Sequence, residues 1–217
     1  MVVGSVGLDT VETPLGCVAD ALGGAAIYAS IAASFFTPVR VVGVVGEDFP
    51  REHLSFLESR GIDIQGIEIA PGKSFRWSGK YEFDLNQAKT LSTELNVFAD
   101  FRPAIPSQYA DTDYVFLANI DPELQLEVLD QICRPKLVAC DTMNYWIESK
   151  PDVLKRVLGR VNVAFMNDAE ARELCCTSSL VKAGAEIRKM GPSVVVIKKG
   201  EHGAVVFADE AYFAAPS

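Results

Sequence analysis

The chain has 217 residues, of which 49% are hydrophobic and 23% charged, with a formal net charge of −9. This is apolar enough for one globular domain, and no apolar run reaches the length needed to span a bilayer. The acidic balance argues against general binding to nucleic acid or to an anionic membrane surface.

In chain order, Val2 to Val6 reads as a short strand ending at Gly7-Leu8-Asp9, and Thr10 to Ala21 reads as a loop holding Pro14 and Gly16. Leu22 to Phe36 follows, a glycine-led helix of small and apolar residues. Val39 to Val45 is β-branched and reads as a buried strand. A helix over about Asp48 to Ser59 ends at Gly61. Strand, helix, strand, helix is the signature of a parallel sheet with helices on its faces. The rhythm changes between Ile62 and Phe101, where Phe75 to Phe83 alternates aromatic and polar residues. Such alternation suits a small sheet with one covered and one wet face, usable as a lid or as a dimer contact.

From Asp113 the α/β rhythm returns, with strands over Tyr114–Ala118, Leu137–Cys140, Val161–Met166 and Val194–Ile197. Helices are expected over Glu123–Ile132, Pro151–Leu158 and Ser179–Met190, and a final hairpin over Ala204–Ala208 and Ala211–Ala214.

The N-terminus opens directly as a strand, without the basic and apolar regions of a secretory signal. The five cysteines, Cys17, Cys133, Cys140, Cys175 and Cys176, form no C-x-x-C pair. Reduced thiols and a cytoplasmic location are therefore expected, and with only His53 and His202 there is no zinc signature.

Gly23 and Gly24 remove Cβ atoms where the chain turns into a helix whose first N–H groups lack internal partners. A polar or anionic ligand could approach the backbone there. The structural alternative is a tight loop that lets the helix pack on a sheet. Polar residues recur just past the strand ends: Asp9, Asn119, Asp141, Asn144, Asn167, Glu170 and Lys198. In an open parallel sheet such ends share the edge where ligands bind, although each residue alone could be a turn or a cap. No P-loop stretch is present, and the missing Gly-x-Gly-x-x-Gly fingerprint disfavours an oxidoreductase on a doubly wound sheet.

An ordered set of pieces resembles the ribokinase-like (PfkB) carbohydrate kinases. These are Gly4-Ser5-Val6-Gly7-Leu8-Asp9, Gly23-Gly24-Ala25-Ala26, Val42 to Asp48, Gly61-Ile62-Asp63, Asn167-Asp168-Ala169-Glu170, and Val196 to Gly203. The resemblance implies a mostly parallel α/β sheet flanked by helices, one domain over 1–217, with small-sheet lid segments within about 8–20 and 62–101. It implies an ATP-dependent, Mg²⁺-assisted kinase that phosphorylates a sugar hydroxyl. Asp9, Gly23 and Gly24 would bind the sugar, with Asn119, Asp141 and Asn144 lining the passage to the phosphates. Asn167 and Glu170 would organise Mg²⁺, and Asn167, Lys198 and Gly200 would lie at the nucleotide. A homodimer through the lid is also implied.

The family's Gly-Ala-Gly-Asp motif, which carries the general base, does not occur in the 217 residues. The resemblance therefore places that base beyond Ser217 and implies a truncated chain that is inactive alone. The alternative reading is a non-catalytic module that binds a sugar or nucleoside, or that dimerises. Asn144 stands three residues after Asp141, where many relatives have Asn two residues after the Asp.

Overall fold

The computed structural model describes residues 1–83, 85, 88–209 and 211–217. Asp84, Asn86 and Gln87 of the expected lid segment, and Glu210 of the expected final hairpin segment, lie outside the described residues. The chain divides into two compact units, Met1–Ala110 and Asp111–Ser217.

The first unit runs β1 (Val2–Val3), β2 (Gly7–Thr13), β3 (Gly16–Gly23), α1 (Ala25–Ser34), β4 (Val39–Gly46), α2 (Arg51–Ser59), β5 (Ile62–Ala70), β6 (Phe75–Tyr81) and β7 (Ala88–Glu94). Strands β1, β4 and β5 are parallel, with Val2 opposite Val41 and Val39 opposite Ile62. The valines of β4 are buried on both faces, as a central parallel strand requires. Helix α1 packs on β4 and buries Ala26, Ile27 and Ser30.

A second, four-stranded sheet has the order β3-β2-β6-β7. Strand β2 is antiparallel to β3 and parallel to β6, and β6 is antiparallel to β7. The expected loop over Thr10 to Ala21 is thus mostly a hairpin. Pro14 and Gly16 mark only its tip, because the strands on either side are half-exposed and carry no buried apolar run. Conversely, Ile62–Ala70 was expected in the lid but pairs in parallel with β4. It completes the crossover that begins at β4 and passes through α2.

The small sheet is tied to the end of β4 by a polar knot. A Cβ on Gly46 would lie 2.4 Å from the Gly72 carbonyl oxygen, so glycine lets residues 72–74 cross there. The Gly46 N–H donates to Ser74 Oγ at 3.0 Å, and Asp48 Oδ1 accepts from both the Ser74 N–H and hydroxyl at 2.7 Å. Arg76 then bridges Asp48 to Asp20 of β3. Phe75 packs against Phe98, and the Trp77 ring covers Gly79 while its Nε1–H donates to Thr90. Two aromatics of the alternating Phe75 to Phe83 segment are therefore used inside the unit. Phe83, Leu15 and Val18 remain exposed.

The second unit runs β8 (Tyr114–Leu117), α3 (Pro122–Gln131), β9 (Leu137–Asp141), α4 (Asn144–Ser149), α5 (Pro151–Leu158), β10 (Val163–Asn167), α6 (Asp168–Leu174), α7 (Leu180–Lys189), β11 (Val194–Lys198), β12 (Ala204–Ala208) and β13 (Ala211–Ala215). Strands β8 to β11 are parallel neighbours in sequence order, and β12 and β13 add antiparallel strands beyond β11. Asp121 caps α3 through the Glu123 N–H, with Pro122 in the first turn where it costs no hydrogen bond. Leu154, Val157 and Leu158 form the buried face of α5. The short helices α4 and α6 escape a periodicity reading because neither completes two full turns. Among the described residues no helix is long and apolar enough to cross a membrane.

Candidate functional site

In the first unit the candidate residues meet where β2 begins, β3 ends and α1 begins, and Asp9, expected just past a strand end, is instead the third residue of β2. Asp9 is only 7% exposed, on β2 opposite Ala21 of β3. Its carboxylate lies against Gly23, where a Cβ would sit 2.2 Å from Oδ2. It accepts from the Gly24 N–H and, at 3.2 Å, from the Tyr28 hydroxyl. Burial raises the Asp9 carboxyl above its ordinary value, and these two hydrogen bonds pull the other way. The Tyr28 phenol is pushed up to about 12 by burial and by the Asp9 carboxylate.

Gly24 has φ +100°, a conformation open to glycine, and a Cβ there would meet the Ser5 carbonyl oxygen at 2.4 Å. Ser5 in turn takes up the first amides of α1: its Oγ accepts from Ala25 N–H at 2.9 Å and its carbonyl from Ala26 N–H at 3.1 Å. The glycine pair thus makes room for protein groups, a carboxylate and a carbonyl. The opening N–H groups of α1 are satisfied by Ser5 and Asp9 rather than left for an anion.

In the second unit the candidates lie at the carboxyl ends of neighbouring strands. Asp141 ends β9, Asn167 ends β10 and Lys198 ends β11, with Asn167 and Lys198 in direct register. Lys198 Nζ pairs with Asp141 Oδ1 at 2.8 Å. Asn167 caps α6 in a reciprocal box: its Oδ1 accepts from the Glu170 N–H at 2.8 Å, and Glu170 Oε2 accepts from the Asn167 N–H at 2.6 Å. Burial pushes the Glu170 carboxyl up to about 7 against the pull of the Asn167 N–H and Lys198, with the Asp141 carboxylate adding to the rise.

Asn119 follows β8, and its Oδ1 accepts from Trp146 Nε1–H at 3.0 Å. Asn144 is exposed at the first residue of α4, and Gly200, at φ +55°, opens a single 3-10 turn after β11.

Three residues that shape these sets were not foreseen. Tyr28 reads as one more apolar position of a buried helix. Trp146 lies in the stretch after Asp141 that resembles one branch of the ribokinase-like kinases, but the resemblance gives it no role. Gln125 is 1% exposed within the apolar face of α3, and its amide donates to the carbonyls of Leu117, Ala118 and Asp141, fastening the ends of β8 and β9 together. The available signal for Gln125 was a lone amide among Leu124, Leu126, Val128 and Leu129.

Residues 8–217 match the pfkB family carbohydrate kinases. The chain belongs to that family. It is 31% identical over 212 residues to the cytidine kinase of Thermococcus kodakarensis, an alignment covering 95% of this chain and 75% of the relative. Two solved structures share its fold. The Burkholderia thailandensis nucleoside kinase in complex with inosine superposes with a TM-score of 0.75 at 16% identity, covering 100% of this chain and 75% of that one. An E. coli ribokinase II in complex with ATP and Mg²⁺ gives a TM-score of 0.77 at 15% identity, covering 100% and 77%. The α/β architecture with a mostly parallel sheet and a second small sheet is that of the ribokinase-like kinases, and the family's chemistry is phosphoryl transfer.

The raised Glu170 carboxyl has a consequence for stability. Between the ordinary value of 4.5 and about 7, the folded chain holds this proton while an unfolded chain releases it. Its contribution is therefore complete below 4.5 and is lost as pH rises through about 7. Chemical denaturation in a chelating buffer should show stability declining across this window. Glu170→Gln should flatten the decline, by an amount on the order of 1–3 kcal/mol at the upper end. An identical pH profile for both chains would contradict the assignment.

Proposed function

We propose that this pfkB kinase chain acts on a ribonucleoside, with a ribose hydroxyl as acceptor and ATP as phosphoryl donor. The observation that carries the reading is the Asp9 carboxylate, buried against Gly23 and held by Gly24 and Tyr28. A carboxylate offers about four acceptor positions, so two filled from within the protein leave capacity for a pair of substrate hydroxyls. The cytidine kinase relative and the inosine-bound neighbour support a nucleoside over a free sugar.

The second unit supplies the groups suited to the donor. Lys198 is a cation on a flexible stem, and a phosphate would compete with Asp141 for it. Asn119, with its oxygen held by Trp146, keeps its amide N–H₂ to donate, and Asp141 and Asn144 complete the polar strand ends. Gly200 lets the backbone turn next to the nucleotide.

Among the described residues no group of three or more His, Cys, Asp or Glu side chains is gathered to hold a metal ion. Glu170 offers a hard carboxylate oxygen that the Asn167 backbone orients, a donor that suits Mg²⁺ held for the rest through waters and ligand phosphates. When bound, the ion would supply charge neutralisation on the phosphoryl oxygens. The 217 residues hold no Gly-Ala-Gly-Asp run, and no residue of this chain is assigned as the general base. The exposed Leu15, Val18 and Phe83 of the first unit support a homodimer through the small sheet.

Calorimetry with cytidine, uridine, inosine and ribose tests the reading. A nucleoside should bind more tightly than ribose, and Asp9→Ala should weaken that binding by roughly 1.5–3 kcal/mol through loss of a charged acceptor. Unchanged affinity in the variant, or a preference for ribose, would contradict it. Light scattering over a dilution series should report twice the chain mass, and a single-chain mass at every concentration would remove the dimer.

A further inference from the structure

We infer that Tyr28 is the positioning residue that fixes the plane of the Asp9 carboxylate for two adjacent hydroxyls, and so sets a preference for a ribonucleoside over its 2′-deoxy counterpart. The inference rests on the ribonucleoside reading above and names the residue behind its selectivity.

Tyr28 lies one helical turn beyond Gly24, its backbone N–H donating to the Gly24 carbonyl at 3.2 Å. The first turn of α1 therefore reaches the Asp9 carboxylate at two points, the Gly24 N–H at the start of the turn and the Tyr28 hydroxyl at its end. Gly23 forms a third side, too close to admit even a Cβ. Two of these three restraints are backbone. Tyr28 is the one supplied by a side chain, and it alone can be removed without touching the path of the chain.

Burial in the core does not account for the position of Tyr28, whose phenol faces Tyr81 as well as Asp9. The residue is 58% exposed, on a helix whose buried positions are Ala26, Ile27 and Ser30. An exposed ring held in one conformation loses rotamer freedom, and the bond to Asp9 Oδ2 compensates for it.

The terminal torsion of an aspartate is soft. Without the phenol the carboxylate keeps its Gly24 bond but can turn about that torsion. A turning carboxylate can still meet one hydroxyl. Two neighbouring hydroxyls need both oxygens at fixed positions, so loss of Tyr28 should fall on the diol and spare the mono-alcohol.

The test is calorimetric titration of cytidine and 2′-deoxycytidine into the unaltered chain, Tyr28→Phe and Tyr28→Ala, with thermal midpoints recorded for each. Tyr28→Phe keeps the ring and removes only the hydroxyl, so its midpoint should match the unaltered chain. The unaltered chain should prefer cytidine. In Tyr28→Phe the cytidine affinity should fall about tenfold, the scale of one hydrogen bond to a charged group, while that of 2′-deoxycytidine stays within about twofold. The ratio of the two affinities is the deciding readout, because a purely structural role would weaken both ligands alike. Equal losses for the two ligands, or no loss for cytidine, would overturn the inference and leave the nucleoside reading standing. An unaltered chain that binds neither ligand would overturn the nucleoside reading and the inference with it.

Discussion

A carboxylate buried beside a helix start needs donors, and Asp9 finds them because Gly23 and Gly24 have no side chains. Gly23 yields the volume that the carboxylate occupies, and Gly24 adopts φ +100° so that its N–H can donate to it. The same glycine lets the Ser5 carbonyl come close enough to accept from Ala26. Strand β2, the end of β3 and the first turn of α1 are thus locked around one acidic group. The β-hairpin must run where it does for Asp9 to arrive there, and α1 must begin where it does for Tyr28 to reach it.

The second unit shows the same economy. Its candidate ligand groups are already satisfied by one another: Asn167 with Glu170 in a capping box, Lys198 with Asp141, Asn119 with Trp146. Gln125 stitches the ends of β8 and β9 beneath them. A phosphate or cation binding at these groups, as proposed above, would meet a preorganised set and exchange one partner for another, leaving little side-chain entropy to lose. The elevated Glu170 carboxyl belongs to this picture, since an approaching cation would favour the ionised form that burial disfavours.

Much of this was legible from residue order. The β-branched run at Val39–Val45, the turn residues between segments and the polar residues after each strand gave the parallel α/β rhythm and the strand-end positions of Asp141, Asn167 and Lys198. The glycine pair pointed to a close approach, yet the approaching groups are Asp9 and Ser5. The hairpin of β2 and β3 was hidden because β3 is an exposed edge strand with no hydrophobic signature. The half-buried outer part of β2 carries no apolar run, so Pro14 and Gly16 read as a loop from end to end. Strand β5 was assigned to the lid because isoleucine alternation fits either sheet. Only its pairing with β4 decides between them. Tyr28 and Gln125 could not be singled out from spacing, since each acts through a partner distant in sequence, Asp9 for one and the Asp141 carbonyl for the other.

The claim on which this account depends is that the Asp9 carboxylate is the anchor for a ribose. A crystal structure of the chain grown with cytidine measures it directly. Two ribose hydroxyls should lie within hydrogen-bond distance of the Asp9 oxygens, with the Tyr28 hydroxyl still on Oδ2. A cytidine bound with its ribose away from Asp9, or with its base in place of the ribose there, would contradict the account.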